Sequence, residues 1–588
     1  MLAIESLRVE FDTDDGIVTA VDDVSLDVKR GECLSVVGES GSGKTQTFMA
    51  MLGLLPKNAR VHGSIRFDGR QIAGLQPAEL NRLRGSKVTM IFQDSLSALT
   101  PHIPIGEQIA APLRLHLGLS SRAAKRRAMS WLERVRIDDA PRRFAQYPHE
   151  LSGGMRQRVM IACAMACEPA LVIADEPTTA LDVTVQAQIL DLMLELKRET
   201  GTGIALITHD MGVVARMADR VCVMQHGRVV EAGDVDQVFS RPAAEYTRTL
   251  LAAVPGWDGA GRASSLPRVA TDAAAVLECQ DVRVSFQVRS GLFERRRVLR
   301  AVDGVNLRIR EGETLGVVGE SGCGKSTLAR AVLQLLPDAV TTSGGTVILL
   351  GRDLTAMEHR SLQRARKDLQ IVFQDPFSSL DPRMTVGDSI AEPLLVHAPQ
   401  LTRAQRESKV ISMMDRVRLS PDLRNRYPHQ LSGGQNQRVG IARAMIPDPR
   451  LVICDEAVSA VDASVRDQLL ALLIELQQSS GLALMFISHD LGAVYRVSHT
   501  VMVLYLGRVV ETGPRDAVYG CAAHPYTRML LDSSLVPDPA RARLRQPASA
   551  LALDLVQTRT ALMSGDAPRA PRLLEISPGH FVAERSDS

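Results

Sequence analysis

The chain has 588 residues, of which 45% are hydrophobic and 23% are charged, and its formal net charge is +2. This length is too great for a single core and predicts two large domains or several small ones. The near-neutral balance excludes the basic excess typical of nucleic-acid binding and the acidic excess typical of a disordered, solvating chain.

The chain begins with MLAIESLRVEF, in which apolar residues alternate as they do in a β-strand. Because no basic start precedes an apolar core, we expect no signal peptide. No apolar run reaches the roughly 18–20 residues that cross a bilayer, so we expect no membrane span. The eight cysteines are scattered without a C-x-x-C pair, which predicts reduced thiols rather than disulfides or a metal site.

Several motifs occur twice at an almost constant spacing, which indicates a duplicated domain. The glycine-rich segment GESGSGKT at residues 38–45 returns as GESGCGKS at residues 319–326. So many paired motifs exclude chance and predict two copies of one unit. The other recurring segments are FQD with Gln93 and Gln374, LSGG at 151–154 and 431–434, LVIADE at 171–176 against LVICDE at 451–456, and THD against SHD with His209 and His489.

Composition sets the boundaries of the two units, which we name copy one and copy two. Copy one is predicted over residues 1–254 and copy two over residues 276–537. Residues 255–275 are rich in Gly, Ala, Ser and Pro and predict a flexible linker, and the tail over 538–588 is expected to be weakly ordered. Apolar strand patterns alternate with amphipathic helix patterns in each copy, which predicts an α/β fold with a mainly parallel sheet.

The glycine-rich segments match G-x-x-x-x-G-K-[ST] and stand between a strand pattern and a helix pattern. Their glycines let backbone N–H groups surround phosphate oxygens at the positive end of the following helix dipole. The lysine is predicted to reach the β- and γ-phosphates, and the hydroxyl residue after it to bind Mg²⁺. A single match could be a glycine-rich turn with a chance lysine. Two matches, each between a strand pattern and a helix pattern, exclude that alternative. The predicted ATP-binding residues are Gly38, Glu39, Ser40, Gly41, Ser42, Gly43, Lys44 and Thr45 in copy one, and Gly319, Glu320, Ser321, Gly322, Cys323, Gly324, Lys325 and Ser326 in copy two.

An Asp-Glu pair ends an apolar strand pattern in each copy. A carboxylate at that place is costly unless it faces a cation, so the aspartate is predicted to bind Mg²⁺. The glutamate is predicted to polarise the attacking water, and a histidine after the next strand pattern to contact the γ-phosphate. A lone histidine there is more often structural, and the repeated set favours catalysis. The predicted residues are Asp175, Glu176 and His209 in copy one, and Asp455, Glu456 and His489 in copy two.

Together these motifs, with LSGG as the most specific element, resemble ATP-binding cassette (ABC) ATPases over nearly the whole chain, twice. The resemblance implies two tandem P-loop NTPase cassettes, each with a RecA-like, mainly parallel sheet core and an antiparallel β subdomain. It also implies a helical subdomain over about residues 93–158 and 374–438. By the same resemblance, Gln93 and Gln374 take part in catalysis and in Mg²⁺ binding.

The LSGG segment precedes a helix pattern, so its serine and its free N–H groups can bind an anion. The resemblance implies that this segment closes over the γ-phosphate held by the other cassette, and that the two cassettes pair head to tail within one chain. Site one then combines Lys44, Thr45, Gln93, Asp175, Glu176 and His209 of copy one with Ser432, Gly433 and Gly434 of copy two. Site two combines Lys325, Ser326, Gln374, Asp455, Glu456 and His489 of copy two with Ser152, Gly153 and Gly154 of copy one.

The family often stacks an aromatic side chain from its first strand on the adenine ring. Phe11 and Phe286 stand at similar places in the two copies, and Phe293 is an alternative in copy two. Core packing is an equally good role for either phenylalanine.

Further segments resemble the oligopeptide/dipeptide importer branch: YPHELSGG, YPHQLSGG, FQDPFSSLDP and HPYTRMLL at residues 524–531, which EYTRTLL at residues 245–251 echoes. The resemblance implies that ATP and Mg²⁺ power the uptake of peptides, glutathione, nickel or similar solutes. The implied partners are two transmembrane permease subunits and a solute-binding protein, at the cytoplasmic face of the inner membrane and without nucleic acid. The tail contains no cysteine, so we expect no iron–sulfur cluster.

One alternative is a soluble twin-cassette ATPase that acts on ribosomes or nucleic acid. Such proteins have a long, charged helical linker, whereas this linker is short and rich in glycine and alanine. A DNA-repair ATPase of related fold would need zinc-binding cysteine pairs or long coiled coils. The transported solute is not encoded in the hydrolysis motifs.

Overall fold

The computed structural model describes residues 1–14, 16–179, 181–252, 266–267, 269–270, 273–288, 297–337, 341–375, 377–458, 461–544 and 572–584. Phe293 and most of the linker predicted over 255–275 lie outside these ranges, as do residues 545–571 and 585–588 of the tail. Within the described ranges, no helix has both the length and the apolar character needed to cross a membrane.

Copy one alternates short buried strands with helices, as its sequence pattern predicts. Its elements are β1 (Leu2–Thr13), β2 (Gly16–Val28), β3 (Cys33–Val37), α1 (Lys44–Leu52), β4 (Ala59–Phe67), β5 (Arg70–Gln71), α2 (Pro77–Leu83), β6 (Val88–Ile91), α3 (Ser95–Ala98), α4 (Ile105–Leu117), α5 (Ser121–Arg134), α6 (Ala140–Arg143), α7 (Gly153–Met165), β7 (Leu171–Asp175), α8 (Val183–Thr200), β8 (Gly203–Thr208), α9 (Met211–Met217), β9 (Arg220–Gln225), β10 (Arg228–Asp234), α10 (Val235–Ser240) and α11 (Glu245–Ala252).

Copy two repeats this order, except that its described residues form no α-helix corresponding to α3 or α6, and it adds a C-terminal extension. Its elements are β11 (Ala275–Val288), β12 (Arg297–Arg310), β13 (Thr314–Val318), α12 (Lys325–Val332), β14 (Thr341–Leu349), β15 (Arg352–Asp353), α13 (His359–Ala365), β16 (Leu369–Val372), α14 (Val386–His397), α15 (Arg403–Arg416), α16 (Gly433–Met445), β17 (Leu451–Asp455), α17 (Ala463–Ser480), β18 (Ala483–Ile487), α18 (Leu491–Val497), β19 (Thr500–Tyr505), β20 (Arg508–Pro514), α19 (Arg515–Gly520), α20 (Pro525–Ser533), α21 (Pro539–Leu544), β21 (Leu573–Ser577) and β22 (His580–Ala583).

Each copy contains two sheets. In copy one an antiparallel sheet has the order β2-β1-β4-β5, and a second sheet has the order β10-β9-β3-β8-β7-β6, in which only β10 runs antiparallel to its neighbour. All residues of β3, β7 and β8 are buried, which is typical of parallel strands covered on both faces. The predicted α/β class, with its parallel core and antiparallel subdomain, is confirmed.

A helical subdomain follows β6 in copy one and β16 in copy two. In copy one, α4, α5 and α7 enclose a core in which Trp131 is 1% exposed and Ile105 and Leu113 are fully buried. Arg158 of α7 links this subdomain to α8, because its guanidinium donates to the carbonyl of Val135 at 2.9 Å and to Gln188 at 2.8 Å. The predicted helical subdomains therefore lie where the motifs indicate.

The tail differs in part from the weakly ordered segment expected after residue 537. Strands β21 and β22 form a hairpin that extends the larger sheet of copy two, with β22 antiparallel to β20. That sheet has the order β16-β17-β18-β13-β19-β20-β22-β21. The hairpin forms because β20 offers an open edge whose backbone groups need partners.

The segment after α20 crosses from copy two to copy one. Leu535 packs against the core beside Gly212 of α9, where a Cβ on the glycine would lie 2.7 Å from Leu535. Arg543 pairs with Asp236 of α10 at 2.9 Å. The two copies therefore contact each other through the C-terminal part of copy two.

Candidate active sites

The order of the parallel strands brings three loops to one edge of each large sheet. In copy one, β8 lies between β3 and β7, and Val37, Thr208 and Asp175 stand near the carboxyl ends of these strands. Loops at the carboxyl ends of neighbouring parallel strands meet, and such edges are where α/β folds bind ligands. The glycine-rich loop, the Asp-Glu pair and the histidine loop thereby become neighbours.

The lysine of each glycine-rich loop is held by the loop itself. Nζ of Lys44 donates to the carbonyls of Gly38 and Glu39 at 2.8 and 2.7 Å, and Nζ of Lys325 makes the equivalent bonds at 2.7 and 2.9 Å. Lys44 is 6% exposed, and burial lowers its pKa despite the nearby carboxylates. A phosphate would therefore compete with backbone carbonyls for an ammonium group that is poorly solvated.

Two glycines of the loop in copy one are required by close backbone contacts. Gly43 has φ 93°, and a Cβ there would lie 2.4 Å from the carbonyl oxygen of Ala20. A Cβ on Gly38 would lie 2.2 Å from the carbonyl oxygen of Met224. The loop consequently turns tightly against the strands and leads directly into α1.

The hydroxyl after the lysine faces the strand aspartate in both copies. Thr45 donates to Asp175 at 3.2 Å, and Ser326 donates to Asp455 at 2.9 Å. Asp175 is only 6% exposed, and burial raises its pKa to about 6 against the opposing hydrogen bond from Thr45. Burial also raises the pKa of Asp455. Among the described residues no cationic side chain is bonded to either aspartate, and a buried carboxylate beside a hydroxyl fits a hard divalent cation such as Mg²⁺.

The side chain of Glu176 contacts the two other predicted catalytic residues of copy one, Gln93 and His209. Nε2 of Gln93 donates to its Oε2 at 2.7 Å, Nδ1 of His209 lies 2.7 Å from its Oε1, and Thr179 donates to Oε2 at 2.9 Å. Burial would raise the pKa of Glu176, but the hydrogen bond and positive charge of His209 outweigh it and lower the pKa. The carboxylate is thereby kept ionised, as a group that polarises water requires.

Copy two repeats this arrangement with one looser contact. Nε2 of Gln374 donates to Oε2 of Glu456 at 2.7 Å, whereas Nδ1 of His489 lies 3.4 Å from the same carboxylate. Glu456 has φ 51° and Glu176 has φ 46°, a left-handed conformation that non-glycine residues rarely adopt. Strain of this kind recurs at functional sites, where it aims a side chain out of the strand.

The LSGG serine begins the long helix of each helical subdomain. Ser152 caps α7 by accepting from the N–H of Met155 at 3.4 Å, and Ser432 caps α16 by accepting from the N–H of Gln435 at 3.3 Å. The described hydrogen bonds of both serines stay within their own copies. The crossed pairing of LSGG with the opposite loop therefore stays a prediction.

The two glycines after each serine differ in their surroundings. A Cβ on Gly154 would lie 2.6 Å from Val185, and a Cβ on Gly434 would lie 2.5 Å from Val465. Gly433 has open space where a Cβ would stand. The second glycine therefore serves helix packing in both copies, and Gly433 leaves room for a ligand.

A different pair of residues links the copies at site two. Oγ1 of Thr184, in the first turn of α8, donates to the carboxylate of Glu320 in the loop of copy two at 2.6 Å. Across site one, the negative charge of Asp462 from copy two raises the pKa of Lys44, against the larger lowering by burial. Each phosphate-binding loop is thus near the residues that follow the Asp-Glu pair of the other copy, which no single motif reveals.

The two candidate adenine platforms are only partly buried. Phe11 packs at the edge of the copy-one core and Phe286 at the edge of the copy-two core. Both positions leave part of the ring accessible. Stacking on adenine stays a prediction for each.

Two tyrosines contact the loops and were not predicted as site residues. The hydroxyl of Tyr246 accepts from the N–H of Glu39 at 3.1 Å, and the hydroxyl of Tyr526 accepts from the N–H of Glu320 at 2.9 Å. The recurrence of the dipeptide Tyr-Thr in EYTRTLL and HPYTRMLL was the signal that could have identified them.

Comparison with known proteins identifies the family. The model of the ABC transporter family matches residues 21–179 and 302–459, and the model described as the oligopeptide/dipeptide transporter C-terminal region matches residues 230–280 and 510–559. The chain is 45% identical over 612 aligned residues to the glutathione import ATP-binding protein GsiA of Salmonella typhimurium, covering 99% of this chain and 96% of the relative. GsiA of Escherichia coli K12 is 44% identical, with coverage of 99% and 97%.

A solved structure of the dimeric ATP-binding cassette MJ0796 bound to ADP and Pi is 30% identical, covers 40% of this chain and 98% of its own, and has a TM-score of 0.37. The matches to transporter families favour the transporter interpretation over the ribosome-associated alternative. Because the family models match both copies and the import ATPases align over 99% of its length, the chain belongs to the ABC transporter family as an ATPase of the oligopeptide/dipeptide type.

Proposed function

We propose that this chain powers an importer of glutathione or of similarly small peptides. The observation that carries the proposal is the duplicated hydrolysis geometry, in which a glutamine and a histidine approach one glutamate in each copy. The solute class follows from relatives whose printed function is glutathione import and that align over almost the whole chain. The chain acts at the cytoplasmic face of the inner membrane.

At site one, Lys44 leaves the loop carbonyls and neutralises the β- and γ-phosphates of ATP. Glu176 accepts a hydrogen bond from the attacking water, while Gln93 and His209 fix the orientation of its carboxylate. Thr45, Asp175 and the side-chain oxygen of Gln93 would hold Mg²⁺, which supplies neutralisation of phosphate charge when bound.

The crossed LSGG segments complete both sites in this proposal. Ser432, Gly433 and Gly434 close on the γ-phosphate at site one, and Ser152, Gly153 and Gly154 do so at site two. Two bound ATP molecules then hold the copies together, and hydrolysis releases them. The Thr184–Glu320 hydrogen bond supports this pairing, because it joins the loop of copy two to copy one at the same face.

Exposed apolar side chains in the glutamine loops and in the helices that follow them support docking of two permease subunits and, through them, of a solute-binding protein. Phe92 and Phe373 directly precede Gln93 and Gln374, and each is 40% exposed. Leu115 near the end of α4 is 78% exposed, and Val396 at the equivalent end of α14 is 52% exposed. Apolar side chains exposed at matching places in both copies are typical of a protein-binding surface.

The decisive experiment is reconstitution of the chain with its permease subunits in proteoliposomes. We expect external glutathione, presented with the solute-binding protein, to stimulate ATP hydrolysis and to enter the vesicles. The variant with Glu176→Gln and Glu456→Gln serves as the control without hydrolysis. Glutathione uptake that does not depend on this chain, or sedimentation of the chain with ribosomes in cell extracts, would overturn the proposal.

A further inference from the structure

A tyrosine hydroxyl is bonded to the start of each phosphate-binding loop. In copy two, the N–H of Glu320 donates to Tyr526, and the carbonyl of the same Glu320 accepts from the ammonium of Lys325 at 2.9 Å. In copy one, Tyr246, Glu39 and Lys44 repeat both contacts. The hydroxyl therefore holds the loop residue that the ATP-binding lysine must release.

Tyr526 is itself fixed in place. Its side chain is fully buried, and its ring lies against that of Tyr505 with centroids 4.3 Å apart. His524 caps α20, because its Nδ1 accepts from the N–H of Tyr526 at 3.2 Å. The hydroxyl thus reaches the loop from the first turn of a capped helix.

A buried carboxylate anchors the turn before α20. Glu511 is 0% exposed and accepts from the N–H groups of Ala523 and His524 at 2.8 and 2.9 Å. Nε2 of His580 lies 2.8 Å from its Oε1, and His580 is 2% exposed. Because a buried carboxylate is costly unless its oxygens have donors, His580 of the C-terminal hairpin stabilises this anchor.

Copy one has the anchor without the hairpin. Glu231 accepts from the N–H groups of Ala243 and Ala244 at 2.8 and 3.0 Å. In the described part of the chain, β10 has β9 as its strand neighbour and no second one. Glu231 and Tyr246 are only partly buried, unlike their counterparts Glu511 and Tyr526.

We propose that Tyr246 and Tyr526 are positioning residues for the ATP-binding loops, and that the C-terminal hairpin reinforces this positioning in copy two alone, through His580 and Glu511. The inference rests on the proposed binding of ATP at Lys44 and Lys325. An empty loop that already has its binding shape loses less freedom when ATP arrives, which increases affinity. Among the described residues, a tyrosine therefore holds both loops, and the hairpin reinforces only the loop of copy two.

The tyrosines are tested by removing one hydroxyl. In a Lys44→Ala background, where only site two binds, we expect Tyr526→Phe to raise the ATP dissociation constant and KM roughly 5- to 10-fold, with kcat within about 2-fold. Displacement of a fluorescent ATP analogue measures the affinity. Tyr495→Phe, which removes a hydroxyl from the same copy away from the loop, is the matched control. Tyr246→Phe in a Lys325→Ala background should weaken site one in the same way.

The hairpin is tested at His580. We expect His580→Leu to weaken ATP binding at site two about 3-fold and to leave site one unchanged. His580→Gln should restore the affinity, because its amide N–H can donate to Glu511. Equal effects of Leu and Gln, equal effects at both sites, or a lower melting temperature without a change in affinity would overturn the role of the hairpin.

The Lys44→Ala parent distinguishes failure of the tyrosine contact from failure of the ATP site at Lys325. Normal ATP binding by the Lys44→Ala parent together with unchanged affinity in Tyr526→Phe would overturn this inference alone. Loss of all ATP binding by that parent would overturn the proposed site at Lys325 and this inference with it.

Discussion

Nδ1 of His209 lies 2.7 Å from Oε1 of Glu176, with side chains that are 25% and 14% exposed. Burial lowers the pKa of His209, but the hydrogen bond and charge of Glu176 outweigh it and raise the pKa above its usual value. The charged pair therefore stabilises the folded state. This contribution is fully present below about pH 6.5 and is lost as the pH rises through the raised pKa.

The first prediction concerns this pH dependence. We expect His209→Gln to lower the melting temperature of the nucleotide-free chain at pH 6, and the difference from the parent to shrink as the pH rises to 8.5. Differential scanning fluorimetry across this range measures it. A difference that does not change with pH would contradict the charged pair.

The second prediction concerns the two glutamates. Glutamine keeps the size and hydrogen-bonding oxygen of the side chain but accepts no proton, so Glu176→Gln with Glu456→Gln should reduce ATP hydrolysis by about 10²- to 10⁴-fold. ATP binding should persist and trap the paired state. Phosphate release and nucleotide retention on a desalting column measure both.

Glu79→Gln is the matched control for the glutamates, since Glu79 is an exposed surface residue paired with Arg70. It should hydrolyse ATP at the parental rate. Hydrolysis at that rate by the double variant would show that neither glutamate polarises the attacking water.

The third prediction concerns Asp175, whose pKa burial raises from 3.8 to about 6. The ionised form is penalised in the folded chain, so stability is lost as the pH rises through 6, and the penalty disappears as the pH falls towards 4. Asp175→Asn should stabilise the metal-free, nucleotide-free chain by up to about 3 kcal/mol above pH 6 while abolishing hydrolysis at site one.

Thermal melting of the parent and of Asp175→Asn at pH 7.5 and pH 4.5 tests this prediction. The variant should melt at a higher temperature than the parent at pH 7.5, and the difference should shrink at pH 4.5. Asp455→Asn should change stability in the same direction, because burial also raises the pKa of Asp455. A destabilised Asp175→Asn chain at pH 7.5 would mean that the carboxylate has a favourable partner in the empty site.

The fourth prediction concerns the crossed sites. Arginine in place of Ser152 removes the cap of α7 and fills the space before Gly153, so Ser152→Arg should reduce nucleotide trapping at Lys325 and spare Lys44. A photoreactive ATP analogue, followed by cleavage in the linker and mass spectrometry, assigns the label to one copy. Ser432→Arg should give the mirror result, and loss of label on the mutated copy itself would refute the crossing.

The predicted lysine loops, Asp-Glu pairs, glutamines and histidines lie together in each copy, and local sequence could indicate this because they belong to contiguous motifs. The glycine loop, the Asp-Glu pair and the histidine each follow a buried strand, and neighbouring parallel strands bring their ends together. The sequence also placed LSGG before a helix, and the structure adds that Ser152 and Ser432 cap α7 and α16.

Contacts between distant segments were beyond such reasoning. His580 is buried because Glu511, 69 positions earlier, lies on the strand that its hairpin joins. The Thr184–Glu320 bond depends on how one copy sits against the other. The short strand pattern around His580 does not indicate its contact with Glu511. The hydroxyl of Thr184 likewise gives no local indication of its contact with Glu320.

The C-terminal hairpin has a consequence for how the two halves can diverge. A cassette that pairs with an identical subunit carries every extension twice, and each substitution in its gene alters both sites together. Here the extension is joined to β20 and has no equivalent following β10 among the described residues. Under the proposed role of the hairpin, substitutions in it change the nucleotide affinity of one half without touching the other, and a single chain keeps the two unequal halves in a one-to-one ratio.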